Sequence, residues 1–117
     1  MDLTAKQKSR EFGAKVVNLH KQLSARKKES VMSEELLRSG AGVGAELVKS
    51  ECAIGKNNQL ARVHAALQNC VESKYWLELL NDTNYLTEFE YNDTLKHCDE
   101  LSQMLMARIK AFMAANR

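Results

Sequence analysis

The sequence contains no proline and only five glycines among its 117 residues. Proline-directed breaks are therefore excluded, and few positions can interrupt a helix. No alternating run of Val, Ile and Thr occurs, so strand signals are missing as well. No apolar stretch approaches the ~20 residues that span a bilayer, which speaks against a membrane protein. The N-terminus has no apolar segment of the secretory type. The three cysteines, Cys52, Cys70 and Cys98, are odd in number and widely spaced. That is not a disulfide framework, and reduced thiols in a cytoplasm fit better.

Motifs that carry chemistry are also scarce. A di-iron bundle needs Glu-x-x-His, and none of His20, His64 and His97 has Glu three residues earlier. There is no Cys-x-x-Cys and no His-x-x-x-His, so no zinc motif is present. His97 and Cys98 are adjacent, but on a helix they point about 100° apart and make a poor dyad. The expectation is a protein that is not an enzyme and holds no metal or cofactor.

What is present is helix-forming sequence. Leu, Ala, Glu, Lys and Gln dominate. One domain spanning residues 1–117 can bury roughly two-thirds of its unfolded surface, enough for a core without staples. The net charge of +2 hides an asymmetry. Residues 1–28 carry eight basic and two acidic side chains, a net +6, whereas residues 29–117 carry nine and thirteen, a net −4.

Periodicity divides the chain into four helices. The first runs from about Thr4 to Arg26, with Ala5, Phe12, Val16, Leu19 and Leu23 as its apolar stripe. At about 100° per residue, Lys6, Arg10, Lys21 and Lys28 fall opposite that stripe. Lys8, Lys15 and Arg26 flank it, and Arg26, Lys27 and Lys28 complement the dipole at the helix end. Ser33-Glu34-Glu35 reads as an N-cap, so the second helix runs from about Glu34 to Cys52. Within it, Gly40 and Gly44 share a face, as close packing against another helix requires; no strand precedes them to make a phosphate loop. Gly55 reads as a C-cap and Asn58 as an N-cap, so the third helix runs to about Leu80 with Leu60, Val63, Leu67, Cys70, Val71 and Leu77 as its stripe. Asn81-Asp82-Thr83-Asn84 is a turn cluster. Thr87 with Glu90 forms a capping box, and the fourth helix follows to about Ala114 on Tyr91, Leu95, Cys98, Leu101, Leu105, Ile109 and Phe112. Four helices with short connections predict an all-α, antiparallel up-down-up-down four-helix bundle.

Short turns also predict register. A first turn centred near Ser30 puts Leu19 beside Gly40 and Ala41, and Val16 beside Gly44. A second turn centred near Gly55 puts Arg38 level with Glu72, predicting a bidentate, partly buried structural pair. Cys70 and Cys98 come out level as small core residues.

The stretch from Glu72 to Leu80 holds the single Trp, one Tyr and three Leu. With Leu60, Val63, Leu67 and Leu77 facing the core, Trp76 and Leu80 point the other way, and Tyr75 and Leu79 cover a third side. A helix end that is apolar all round must be buried all round. Tyr75, Trp76, Leu79 and Leu80 are therefore expected at an oligomer interface, unless Tyr85, Leu86 and Phe89 fold back over them.

Arg38-Ser39, Val43-Gly44-Ala45, Ala66-Leu67, Glu72-Ser73-Lys74-Tyr75-Trp76-Leu77-Glu78-Leu79-Leu80 and Asn84-Tyr85-Leu86 together resemble a known four-helix-bundle family. It comprises the 23S rRNA intervening-sequence proteins and the accessory variability determinant of diversity-generating retroelements. The likeness extends from Phe12 to Phe112. Departures fall at Gly42, Glu46, Asn69 and Ser73, where the family has Ser, Asn, Glu and Thr, and at Lys49 and Ser50 in place of Glu-Ala. The resemblance implies a homo-oligomer, a pentamer in the family, with a basic surface. It also implies nucleic acid and a reverse transcriptase as partners.

The leading expectation is a non-enzymatic, oligomeric accessory protein. Its Lys6, Arg10, Lys15, Lys21, Arg26, Lys27 and Lys28 contact RNA or DNA phosphates without reading sequence. No aromatics are interleaved with these cations for base stacking. The alternative is a protein-interaction scaffold that binds no nucleic acid.

Overall fold

A computed structural model describes residues 4–115. These form α1 (Ala5–Arg26), α2 (Val31–Cys52), α3 (Lys56–Asp82) and α4 (Glu88–Ala115). The helices pack as a ring in chain order, α4 closing back on α1, and among the described residues the Cα atoms of neither diagonal pair come within 8 Å. This is the all-α four-helix bundle that the periodicity predicts. Its dimensions are 49 × 25 × 23 Å, and no described helix is long and apolar enough to cross a membrane.

Local chemistry sets the helix ends. Thr4 and Gln7 cap α1 reciprocally: Gln7 N donates to Thr4 Oγ1 at 3.1 Å, and Thr4 N to Gln7 Oε1 at 2.9 Å. Thr87 and Glu90 do the same for α4, at 2.9 and 3.1 Å. The start of α2 differs from expectation. Lys28 adopts φ 56, turning the chain early, and the helix begins at Val31 rather than Glu34. Its N-cap residue, Ser30, makes no side-chain capping bond, and the preceding Glu29 supplies the carboxylate instead, accepting from Met32 N at 2.7 Å and Ser33 N at 3.0 Å. Ser33 is buried one turn in, with its hydroxyl donating to Glu29 O at 3.1 Å. Gly55, at φ 88, is the N-cap of α3 rather than the C-cap of α2.

The earlier turn also shifts the α1–α2 register. Val16 sits over Gly40, where an added Cβ would lie 2.8 Å from Val16 Cγ2. Ser9, not Val16, faces Gly44, with Oγ at 3.2 Å from such a Cβ. The two helices thus meet about one turn away from the predicted register, because their connection centres nearer Lys28 than Ser30.

The core contains Phe12, Val16, Leu19 and Leu23 of α1, Leu36, Val43 and Leu47 of α2, and Cys98, Leu101 and Leu105 of α4. The buried face of α3 corrects the predicted stripe. It runs through Val63, Ala66, Cys70, Ser73, Leu77 and Leu80, while Val71 is 59% exposed. Small residues mark this face because α2 approaches closely there. Ser73 Oγ donates to Ser39 Oγ at 3.0 Å, and both hydroxyls are buried. Across the α3–α4 seam the Cys70 and Cys98 sulfurs lie 3.8 Å apart as free thiols. The hydrogen bond with Cys70, with burial added, pushes the Cys98 thiol far up.

Candidate nucleic-acid interface

The basic side chains of α1 divide into two groups. On the side facing α4, Lys15 Nζ lies 2.7 Å from Asp93 Oδ2, and Lys8 pairs with Glu100. The partners are seven residues apart on each helix, so the two pairs repeat two turns apart along one antiparallel seam. Hydrogen bonds from the lysines hold Asp93 and Glu100 below their ordinary carboxylate values. On the side facing α2, Lys6 Nζ lies 3.0 Å from Glu51 Oε1. Lys6 and Lys15, both expected at the phosphate surface, thus already hold carboxylates of this chain.

The second group is Arg10, Lys21, Arg26, Lys27 and Lys28. All are exposed, and none has an acidic partner among the described residues. Lys21 lies on α1 one turn before its end, and Arg26, Lys27 and Lys28 gather where α1 ends and the chain turns. Arg10 stands lower on the helix. It borders a trough of about 280 Å³ between α1 and α2 that is lined by Gly13, Val17, Ala41 and Gly44.

One cation of this surface escaped the sequence reading. Lys96 of α4 is exposed, and its charge helps to hold both Asp93 and Glu100 low, which places it beside the α1–α4 seam. No turn joins the first helix to the last, so nothing local in the sequence set their register.

Arg38 and Glu72 meet in a different geometry from the one predicted. Arg38 Nε and Nη2 both donate to Glu35 Oε2, at 3.3 and 2.8 Å, and only Nη2 reaches Glu72 Oε2. The guanidinium side chain is 55% exposed, so the contact is neither bidentate nor buried. Glu35, one turn away on the same helix, competes for the fork. Glu72 Oε2 also accepts from Trp76 Nε1 at 2.9 Å, tying the indole to the α2–α3 edge.

The expected interface residues separate likewise. Leu80 is fully buried inside the chain, so no neighbour can reach it. The expectation fails there because the α3 core face is rotated from the stripe that Leu60 and Leu67 suggested. Tyr85 and Leu86 pack on the core at the same end, whereas Phe89 is 77% exposed and does not fold back. Trp76 is half-buried against the core and Leu79 is half-buried. Tyr75 is 56% exposed and meets Trp76 edge-on at 5.0 Å between ring centroids.

The fold and this surface define a small helical bundle with an exposed basic corner. Among the described residues no group of three or more His, Cys, Asp and Glu could hold a metal ion. The chain belongs to the 23S rRNA-intervening sequence protein family, which it matches over residues 1–107. It is also similar to a solved structure from Bacteroides thetaiotaomicron VPI-5482, described as a protein of unknown function from the S23 ribosomal protein family. That likeness has a TM-score of 0.90 at 37% identity and covers 92% of this chain and 99% of the other. No match was found among curated proteins.

Proposed function

We propose that this protein is a non-enzymatic, oligomeric accessory protein that holds RNA or DNA phosphates on its α1 surface. The observation that carries this reading is the group of five exposed cations, Arg10, Lys21, Arg26, Lys27 and Lys28, with no acidic partner among the described residues. Each phosphate they neutralise releases counterions, which drives binding without base readout. Lys6 and Lys15 join only by giving up Glu51 and Asp93. Assembly into a homo-oligomer, a pentamer by family resemblance, would multiply a modest patch into a ring of positive charge. Tyr75, Leu79 and the exposed edge of Trp76 are the side chains proposed for that contact. A cytoplasmic setting, and a reverse transcriptase as protein partner, complete the reading.

A labelled RNA or DNA oligonucleotide tests it. Affinity should fall tenfold or more between 50 and 200 mM salt, because several phosphate contacts are made. Reversing charge at Arg10, Lys21 and Lys28 should abolish binding while light scattering still reports the oligomer. Salt-independent binding, or none, favours the second reading. That reading is a scaffold, supported by the lysine–carboxylate pairs that already consume part of the basic helix.

A further inference from the structure

Phe89 is a large aromatic side chain left 77% exposed on the first turn of α4. It precedes Asp93 by four residues, so it shares the face of α4 that presents Asp93 and Glu100 to Lys15 and Lys8 of α1. Extending that antiparallel register by one turn puts Phe89 level with Leu19 of α1, whose own side chain is buried. Lys21 follows Leu19 by two residues, about 3 Å along the helix axis, and Lys96 follows Phe89 by seven, about 10 Å in the opposite direction. Both lysines are exposed and neither forms an ion pair among the described residues, although Lys96 lies close enough to Asp93 and Glu100 to help hold them low. Exposed amides of Asn18 and Gln22 lie within one turn of Leu19 on α1, and Asn92 is exposed one turn after Phe89 on α4. Of the acids nearby, Asp93 is engaged by Lys15 and Glu90 by its own capping box, while Glu88 beside Phe89 is exposed.

An aromatic face bracketed by two cations and edged by amides matches one chemistry. The ring stacks on a base, the lysines take the phosphates on either side, and the amides reach the base edge. Bases inside a duplex stack on one another and present no free face. We infer that Phe89 is a stacking platform for an unpaired base, so the nucleic acid taken by this surface is single-stranded. The inference rests on the proposed phosphate binding and adds the strand class and the residue that selects it.

Two probes separate the outcomes: a fluorescein-labelled 15-nucleotide single-stranded RNA of mixed sequence and a blunt duplex of the same sequence. The wild-type protein should prefer the single strand. Phe89→Ala should weaken that binding at least fivefold, leave duplex binding unchanged, and leave the thermal melt unchanged because the ring is exposed. Phe89→Tyr should bind within about twofold of wild type, since a phenol ring stacks as well. Unchanged single-strand affinity in Phe89→Ala overturns the inference and leaves the phosphate reading standing. Wild-type protein that binds neither probe overturns both. Equal loss on both probes with a smaller mass by light scattering makes Phe89 a subunit contact and also overturns the inference.

Discussion

The seams that α2 makes with its neighbours are built differently from the seam between α1 and α4. Along α2, glycines and serines let the backbones come close: Gly40 lies under Val16, Gly42 faces Asn69, and Ser39 meets Ser73 inside the bundle. Charged groups such as Arg38 stay at its edge. Between α1 and α4 the contact is slighter, and the Lys15–Asp93 and Lys8–Glu100 pairs cross it. Close packing gains from every atom brought within van der Waals reach and is indifferent to salt. Exposed ion pairs contribute little, and salt and acid erode that little further. Phe89 and Lys96, the α4 part of the proposed ligand surface, lie along the weaker, electrostatic side, where solvent and ions already have access.

That contrast can be broken in steps. The largest effect is expected inside the packed side. Leu36→Ala should lose about 2–5 kcal/mol in urea unfolding, because the side chain is fully buried and leaves a cavity. A loss under about 1 kcal/mol would mean that α2 can collapse onto the gap and that the seam is not close-packed.

Next come two glycines on the same helix. Gly40→Ala should cost about 1–3 kcal/mol, since its Cβ would press on Val16, a stiff β-branched side chain. Gly42→Ala should be neutral or stabilise by up to about 1 kcal/mol, because only the flexible end of Asn69 must move and a helix prefers Ala. Equal effects at the two sites would mean that Val16 yields as easily as Asn69, and that close approach does not require Gly40.

The smallest effect belongs to the electrostatic seam and appears as pH dependence. Asp93 and Glu100 are held below ordinary values of 3.8 and 4.5 by Lys15 and Lys8. A carboxylate lowered in this way stabilises the fold fully above its unfolded pKa, and that contribution is lost as pH falls through the folded value. Stability should therefore decline as pH drops below about 4.5, through and below the ordinary range. Asp93→Asn with Glu100→Gln should flatten that decline and also reduce the response of the melting temperature to salt. An identical acid limb in the double variant would assign acid sensitivity to other groups.

Much of the fold was legible locally. Thr87 and Glu90 announce the start of α4, and the stripe from Phe12 to Leu23 announces the buried face of α1. The Gly55 turn set a second register in which Arg38 does reach Glu72, though Glu35 holds most of the fork. The α3 face was misread because hydrophobicity weights Leu60, Leu67 and Val71, whereas a closely approached helix buries Ala66, Cys70 and Ser73. Two departures from the family pattern, Gly42 and Asn69, turn out to occupy one contact. They lie on different helices, and sequence position alone does not pair them.

The sequence by itself determined the helices, their number and the charge imbalance of α1, because caps, periodicity and charge counts act within a few residues. Only the tertiary structure decided which of those charges are free. Lys8 and Lys15 find Glu100 and Asp93 at the far end of the chain, on the last helix. The fold also brought Lys96 and Phe89 beside a helix that lacked a stacking aromatic of its own. The first and last helices share no turn, so their register comes from packing of the whole bundle.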